Sequence, residues 1–106
     1  MNGVSAAAAA WNAGFVSTKY VDLLTVATAS GIITITYNTN NIPQLTAGNK
    51  VGLYPYVARV ALATGAQGNI DWACTSAGNA TSAALGLGAP VTAGGIVAKY
   101  VPTQCK

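Results

Sequence analysis

The stretch GNIDWACTS, residues 68–76, decides how this chain is read. Written as an extended strand over Ile70–Thr75, it puts Ile70, Trp72 and Cys74 on one face and Asp71 and Thr75 on the other. It holds one of the two cysteines and one of the two tryptophans of the chain. The other cysteine, Cys105, stands one residue before Lys106, the last of the sequence. The alternation places Trp72 in the core, where truncation to alanine would cost about 3–5 kcal/mol.

Two cysteines allow one bridge and one connectivity. No zinc-ligand spacing fits positions 74 and 105, and the chain has no histidine to complete a metal site. A Cys-x-x-Cys redox pair is absent. A structural disulfide between Cys74 and Cys105, formed in an oxidising compartment, is the favoured reading; two free buried thiols are the competing one. In the chain-entropy model a bridge closing so long a loop stabilises by about 3–4 kcal/mol. That is a large share of the roughly 5–15 kcal/mol of a small domain.

Composition bounds the rest. The 106 residues fit one domain, 1–106. Hydrophobic residues make up 52% and charged residues only 7%, against about 25% in ordinary soluble domains. Disorder is excluded, because disordered chains are charge-rich and apolar-poor. A cytosolic enzyme kept in solution by charge is disfavoured. The net charge of +3 comes from Lys19, Lys50, Arg59, Lys99 and Lys106 against Asp22 and Asp71. The cations are scattered, which reads as a lightly charged surface rather than a nucleic-acid footprint. No apolar run reaches the roughly 18 residues of a membrane span. Ala6–Ala10 is short and follows no basic segment, so it is not read as a signal peptide. Met1-Asn2-Gly3 reads either as native or as an engineered start on a fragment.

Outward from the opening stretch, Ser5–Ala13 favours helix by its alanines, with Gly14 as the C-cap. A first strand is expected near 21–28 and a turn at Ala29-Ser30-Gly31. Residues 32–37, IITITY, form the clearest strand, with Ile33, Ile35 and Tyr37 on one face. A polar loop follows over 38–49. Lys50–Val57 is a third strand, with Val51 and Leu53 on one face, and Pro55 marks its end or an edge position. Residues 58–69 loop or extend it. After residue 76 neither period persists, so an ordered loop held by the bridge is expected. Strands joined by turns and loops favour an antiparallel sheet.

Little in the chain can do chemistry. With no histidine, Asp22 and Asp71 on separate strands, and no activated serine, no catalytic residue, metal site or cofactor site is assigned. Gly86-Leu87-Gly88 lacks the strand–helix context of a nucleotide loop. Gly94-Gly95 reads as a turn. Asn79-Ala80-Thr81 matches a glycosylation pattern that arises often by chance. Tyr54 and Tyr56 form either a stacking platform for bases or sugars or, more simply, sheet packing.

Taken together, TKYV (18–21), GIITITY (31–37), VGLYPYV (51–57), GNIDWACTS (68–76) and AKYVPTQCK (98–106) resemble the globular headpiece of type IV pilins, the type IVa major subunits of Gram-negative bacteria. The resemblance covers roughly residues 18–76 and 98–106. It implies an α+β fold: an antiparallel four-stranded sheet, an αβ-loop before it and a disulfide-bounded D-region after it. Residues 1–17 would be helix remnant or αβ-loop, 18–75 the sheet region and 74–105 the D-region. The long apolar N-terminal helix of the family, membrane anchor and later fibre core, has no counterpart here, so the chain looks like a truncated, soluble headpiece.

The function implied is that of a structural subunit, not an enzyme. It polymerises with other pilin subunits through the assembly machinery, for adhesion, twitching motility and DNA or phage uptake. Host-surface or DNA contact is implied as well, but no small-molecule substrate. The fibre would be extracellular, with the full-length subunit in the inner membrane and periplasm beforehand; this fragment alone would be monomeric. The alternatives are a minor pilin or pseudopilin, a DNA-binding competence pilin suggested by the charge, and a secreted sugar-binding β-domain. The Ala/Gly-rich D-region departs from the more polar loops of relatives, which favours subunit packing over receptor binding as its role.

Overall fold

The computed structural model describes residues 2–63 and 67–106, with side chains described from Ser5 onward. Its elements run α1 (Asn2–Gly14), β1 (Val21–Val26), β2 (Ile33–Tyr37), β3 (Lys50–Val57), β4 (Val60–Ala61), β5 (Ile70–Thr75) and α2 (Ala80–Ala84). Three short 3-10 turns are added, at Pro43–Leu45, Ala98–Tyr100 and Thr103–Cys105. Four full strands and the two-residue β4 form one antiparallel sheet, ordered β1-β2-β3, with β4 and β5 both pairing β3. This is the expected α+β architecture.

The alternation in the sequence sets the two faces. Val26 pairs Ile33, Leu24 pairs Ile35, Ile35 pairs Val51 and Leu53 pairs Cys74. Directly paired residues share a face. One face therefore carries Leu24, Val26, Ile33, Ile35, Val51, Leu53, Trp72 and Cys74. The other carries Thr34, Gly52, Tyr54, Tyr56, Ala73 and Thr75.

Pro55 departs from expectation. It lies inside β3, the strand bonded on both sides, rather than at its end or at a sheet edge. Its carbonyl accepts from the Leu62 amide at 3.1 Å, on the side that β4 occupies. A residue's N–H and C=O point to the same side of an antiparallel strand. The missing proline N–H thus falls between the last β2 partner, at Leu53, and the start of the β4 ladder, where no bond is lost.

The β3–β4 hairpin turns through Ala58 (φ 51°) and Arg59 (φ 63°). Left-handed φ at both central residues is the turn that matches strand twist, and it normally recruits Asn-Gly. With a Cβ at both positions it stores about 1–2 kcal/mol per residue. Residues 58–69 were expected to loop or extend β3; 58–61 form this hairpin, while 64–66 lie outside the described residues.

Strand β1 is slightly shorter than expected, ending at Val26 because Ala27 opens the turn through a bond from Gly31 N to Ala27 O at 2.8 Å. Helix α1 begins before Ser5, and it ends at Gly14. No helix among the described residues is long and apolar enough to cross a membrane.

Candidate functional site

The site is built from the sheet's apolar face and from the segment that wraps the sheet after β5. Cys74 and Cys105 are joined by a disulfide across a sequence separation of 31, with their Cα atoms 4.5 Å apart. Between them the chain first covers one face, then crosses to the other.

On the first face Leu87 and Ala89 are buried against Tyr56 and Ala73, with Tyr54 half-buried beside them. The two tyrosines therefore serve packing, and Tyr56 has no open ring face to offer a ligand. The crossing occurs at Gly94–Gly95. Where β5 ends, Gly95 takes its place beside Lys50 in a parallel bridge, and Ile96 N donates to Lys50 O at 2.9 Å. Gly94 adopts φ +70°. Gly95 lies so close to the Gly48 and Ser76 backbones that neither glycine has room for a Cβ. On the second face Ile96 and Val101 join Leu45 and Val51 in a buried cluster, with Tyr37, Ile42 and both cysteines against it.

Hydroxyls hold this wrap. Thr75 and Ser76 are fully buried. Thr75 Oγ1 and Thr92 Oγ1 are 2.8 Å apart, and Ser76 Oγ donates to Cys105 O at 2.6 Å. Ser82 Oγ, on α2, accepts from Ala89 N at 2.9 Å. No buried side-chain polar atom among the described residues lacks a partner. Sequence reading missed these residues, because a burial pattern without period leaves serine and threonine looking like surface loop. It also missed α2, a single turn too short to show a 3.6-residue period.

The sequence-derived site residues fall as follows. Asp22 sits at a bulge of β1, between Val21 and Leu23, and Asp71 lies on β5; both are exposed and belong to strands on opposite sides of the sheet. Asn79 spends its side-chain N–H on Ala89 O at 2.9 Å. Gly86 and Gly88 take left-handed φ and form the turn after α2. Among the described residues no group of three metal-ligating side chains comes together.

Trp72 requires a correction. It shares the face of Leu53 and Cys74 as expected, yet it is 48% exposed, not buried in the core. Alternation chose the correct face; what covers that face decides burial. Helix α1 covers the β1 side and the wrap covers the Val51 end, leaving Trp72 and Ile70 beyond both. The result is a nearly all-apolar groove of about 560 Å³ walled by Ala7, Ala8 and Trp11 of α1 and floored by Leu24, Val26, Ile33, Ile35, Leu53 and Trp72. A second groove of about 590 Å³ adjoins it through Ile35 and Leu53 and runs past the disulfide to Tyr100 and Val101. Burying such a face releases roughly 25 cal/mol per Å² of apolar surface, so the trench suits a packing partner better than solvent.

A disulfide-strapped sheet whose apolar face is left partly uncovered defines a structural α+β domain built for packing. Over residues 1–106 the chain matches the family model described as pilin, bacterial filament, and it belongs to that family. It is also similar to the crystal structure of a type IV pilin of Pseudomonas aeruginosa, strain Pa110594. The two share 38% identity and a TM-score of 0.81, over 97% of this chain and 78% of that one. None of the curated proteins matches the chain. As a member of a structural family, it is a subunit of an extracellular pilus.

Proposed function

We propose that the chain is the headpiece of a type IV pilus subunit that polymerises non-covalently, through the assembly machinery, into fibres. The uncovered apolar trench carries this reading. It offers a continuous seat for an apolar helix of the kind the family uses as its fibre core. Adhesion, twitching motility and the uptake of DNA or phage follow as properties of such a fibre. The single domain would be organised as the sequence suggests: 1–17 leading into the sheet, 18–75 the sheet region and 74–105 the strapped D-region. The headpiece by itself would be monomeric, with the fibre's main contacts made through the trench. Catalysis has no place in this reading.

The test is direct. Surface fibres sheared from cells expressing the full-length subunit should yield this polypeptide as their main component. Leu53→Asp, which places a charge on the trench floor, should abolish fibres while leaving the subunit detectable in the cell envelope. Fibres that lack the polypeptide, or that form normally with Leu53→Asp, would overturn the reading. The competence-pilin reading is supported only by the net charge, and it would show as duplex-DNA binding that weakens steeply with salt.

A further inference from the structure

We propose that Asn12, assisted by Trp11, plugs the outer edge of β1 and so prevents it from pairing with β1 of a second copy of this chain. Strand β1 is an outer strand of the sheet: β2 satisfies one of its sides and, among the described residues, no strand lies on the other. An unpaired edge is a template for another strand unless something occupies its N–H and C=O groups. Here most of them are occupied by side chains or by the chain just before the strand, and the Leu24 N–H is the outward group left open.

The outward groups can be followed one by one. At Val21, the main-chain O accepts from Thr18 N at 2.9 Å and the N–H donates to Thr18 Oγ1 at 3.1 Å. Asp22 then bulges the strand and exposes a carboxylate. At Leu24, the carbonyl accepts from Trp11 Nε1 at 3.1 Å. At Val26, Asn12 closes both groups: its Nδ2 donates to Val26 O at 2.8 Å and its Oδ1 accepts from Val26 N at 2.9 Å. That pair of bonds is the one an antiparallel neighbour would make to Val26. The Asn12 primary amide stands in for a strand.

What the plug protects is adhesive. The sequence VDLLTV over 21–26 carries one charge, and Leu23 is 47% exposed. Low charge and β-branched or aliphatic side chains favour edge-to-edge pairing. Two β1 edges meeting antiparallel would form an isologous, two-fold contact that closes on itself, a dimer rather than a filament. The plug is also releasable. Of the described α1 side chains only Ala8 is buried. Elements with few buried groups open locally before the whole domain does. Lifting α1 removes the Trp11 and Asn12 bonds together.

The test compares the 106-residue chain with Asn12→Ala, and with Trp11→Phe as a second variant that keeps the ring but loses its N–H. Near-ultraviolet circular dichroism checks the fold. Amide exchange at Val26 should be about tenfold faster in dilute Asn12→Ala, as expected for one lost hydrogen bond. On concentration, sedimentation velocity should show a dimer in which the Val26 amide regains protection. Adding Leu23→Asp, which together with Asp22 sets like charges against each other across the two-fold, should remove that dimer. Unchanged Val26 exchange, a variant monomeric at every concentration, or a dimer that survives Leu23→Asp would each overturn the proposal. Should Asn12→Ala fail to fold, Trp11→Phe answers the same question at Leu24, with weaker dimerisation expected and none overturning it. No step needs pilus assembly, so the outcome is independent of the proposed function.

Discussion

The sheet and the wrap that follows it hold their backbones in different ways. Strands β1 to β3 and β5 are held by register: each ladder bond resembles its neighbours, and alternating apolar side chains fix which face is which. The wrap over 76–105 has no register. It is held by individual contacts, each different: two glycines at a crossing, buried hydroxyls and one disulfide. A regular element spreads its stability over many similar terms. An irregular one concentrates it, so single changes there should do more damage than comparable changes in the sheet.

The disulfide tests that contrast hardest. Replacing both cysteines, Cys74→Ala with Cys105→Ser, should cost about 3–4 kcal/mol, by release of the constraint on the unfolded chain. Urea unfolding reads the loss. Amide exchange should show 92–105 opening while β1–β3 stay protected. A uniform loss of protection over sheet and wrap would mean the two regions are one cooperative unit, and the contrast would fail.

The glycine crossing comes next. A Cβ at Gly95 would stand 2.6 Å from Ala77 N and equally close to Ser76 O, both backbone atoms with no freedom to retreat. Gly95→Ala should therefore cost about 3 kcal/mol, at the upper end of overpacking. A loss below about 1 kcal/mol would show that the wrap can shift as a body.

The hydroxyl pair is subtler. Thr75→Val keeps the shape of a fully buried side chain but leaves Thr92 Oγ1 without its side-chain partner, although Thr92 also donates to Thr75 O at 3.2 Å. A cost of about 1–2 kcal/mol is expected in thermal or urea unfolding. Changing both residues to valine should recover part of it, since two apolar groups leave nothing unsatisfied. A double variant worse than the sum would place the energy elsewhere in the wrap.

Trp72→Ala should have an effect no larger than that of Thr75→Val, and it sharpens the sheet side of the comparison. Full burial would imply a loss of about 3–5 kcal/mol; with half the ring in solvent, about 1–2 kcal/mol is expected. Melting temperatures of the headpiece and of a full-length subunit should then differ in their response, because a helix seated in the trench would cover the indole. Equal responses would argue that Trp72 stays exposed in both.

The sequence by itself determined the four long strands, their faces and the partners of the bridge. Ile33, Ile35, Val51, Leu53 and Cys74 alternate along the chain, and alternation is a local consequence of backbone pleat, which needs no knowledge of neighbours. Two cysteines admit one pairing for the same local reason of counting. Everything that depends on a second element was decided by tertiary structure. Trp72 was placed on the correct face but not at the correct depth, because depth depends on where α1 and the wrap stop. Pro55 reads as a terminator until β2 and β4 are seen to leave a gap where its N–H would be. Thr75, Ser76 and Ser82 read as loop until their hydroxyls meet Thr92 Oγ1, Cys105 O and Ala89 N. Asn12 looks like a polar residue at a helix end until Val26 lies beside it. A pleat is written in one strand; burial and bond completion need the partner that only folding brings.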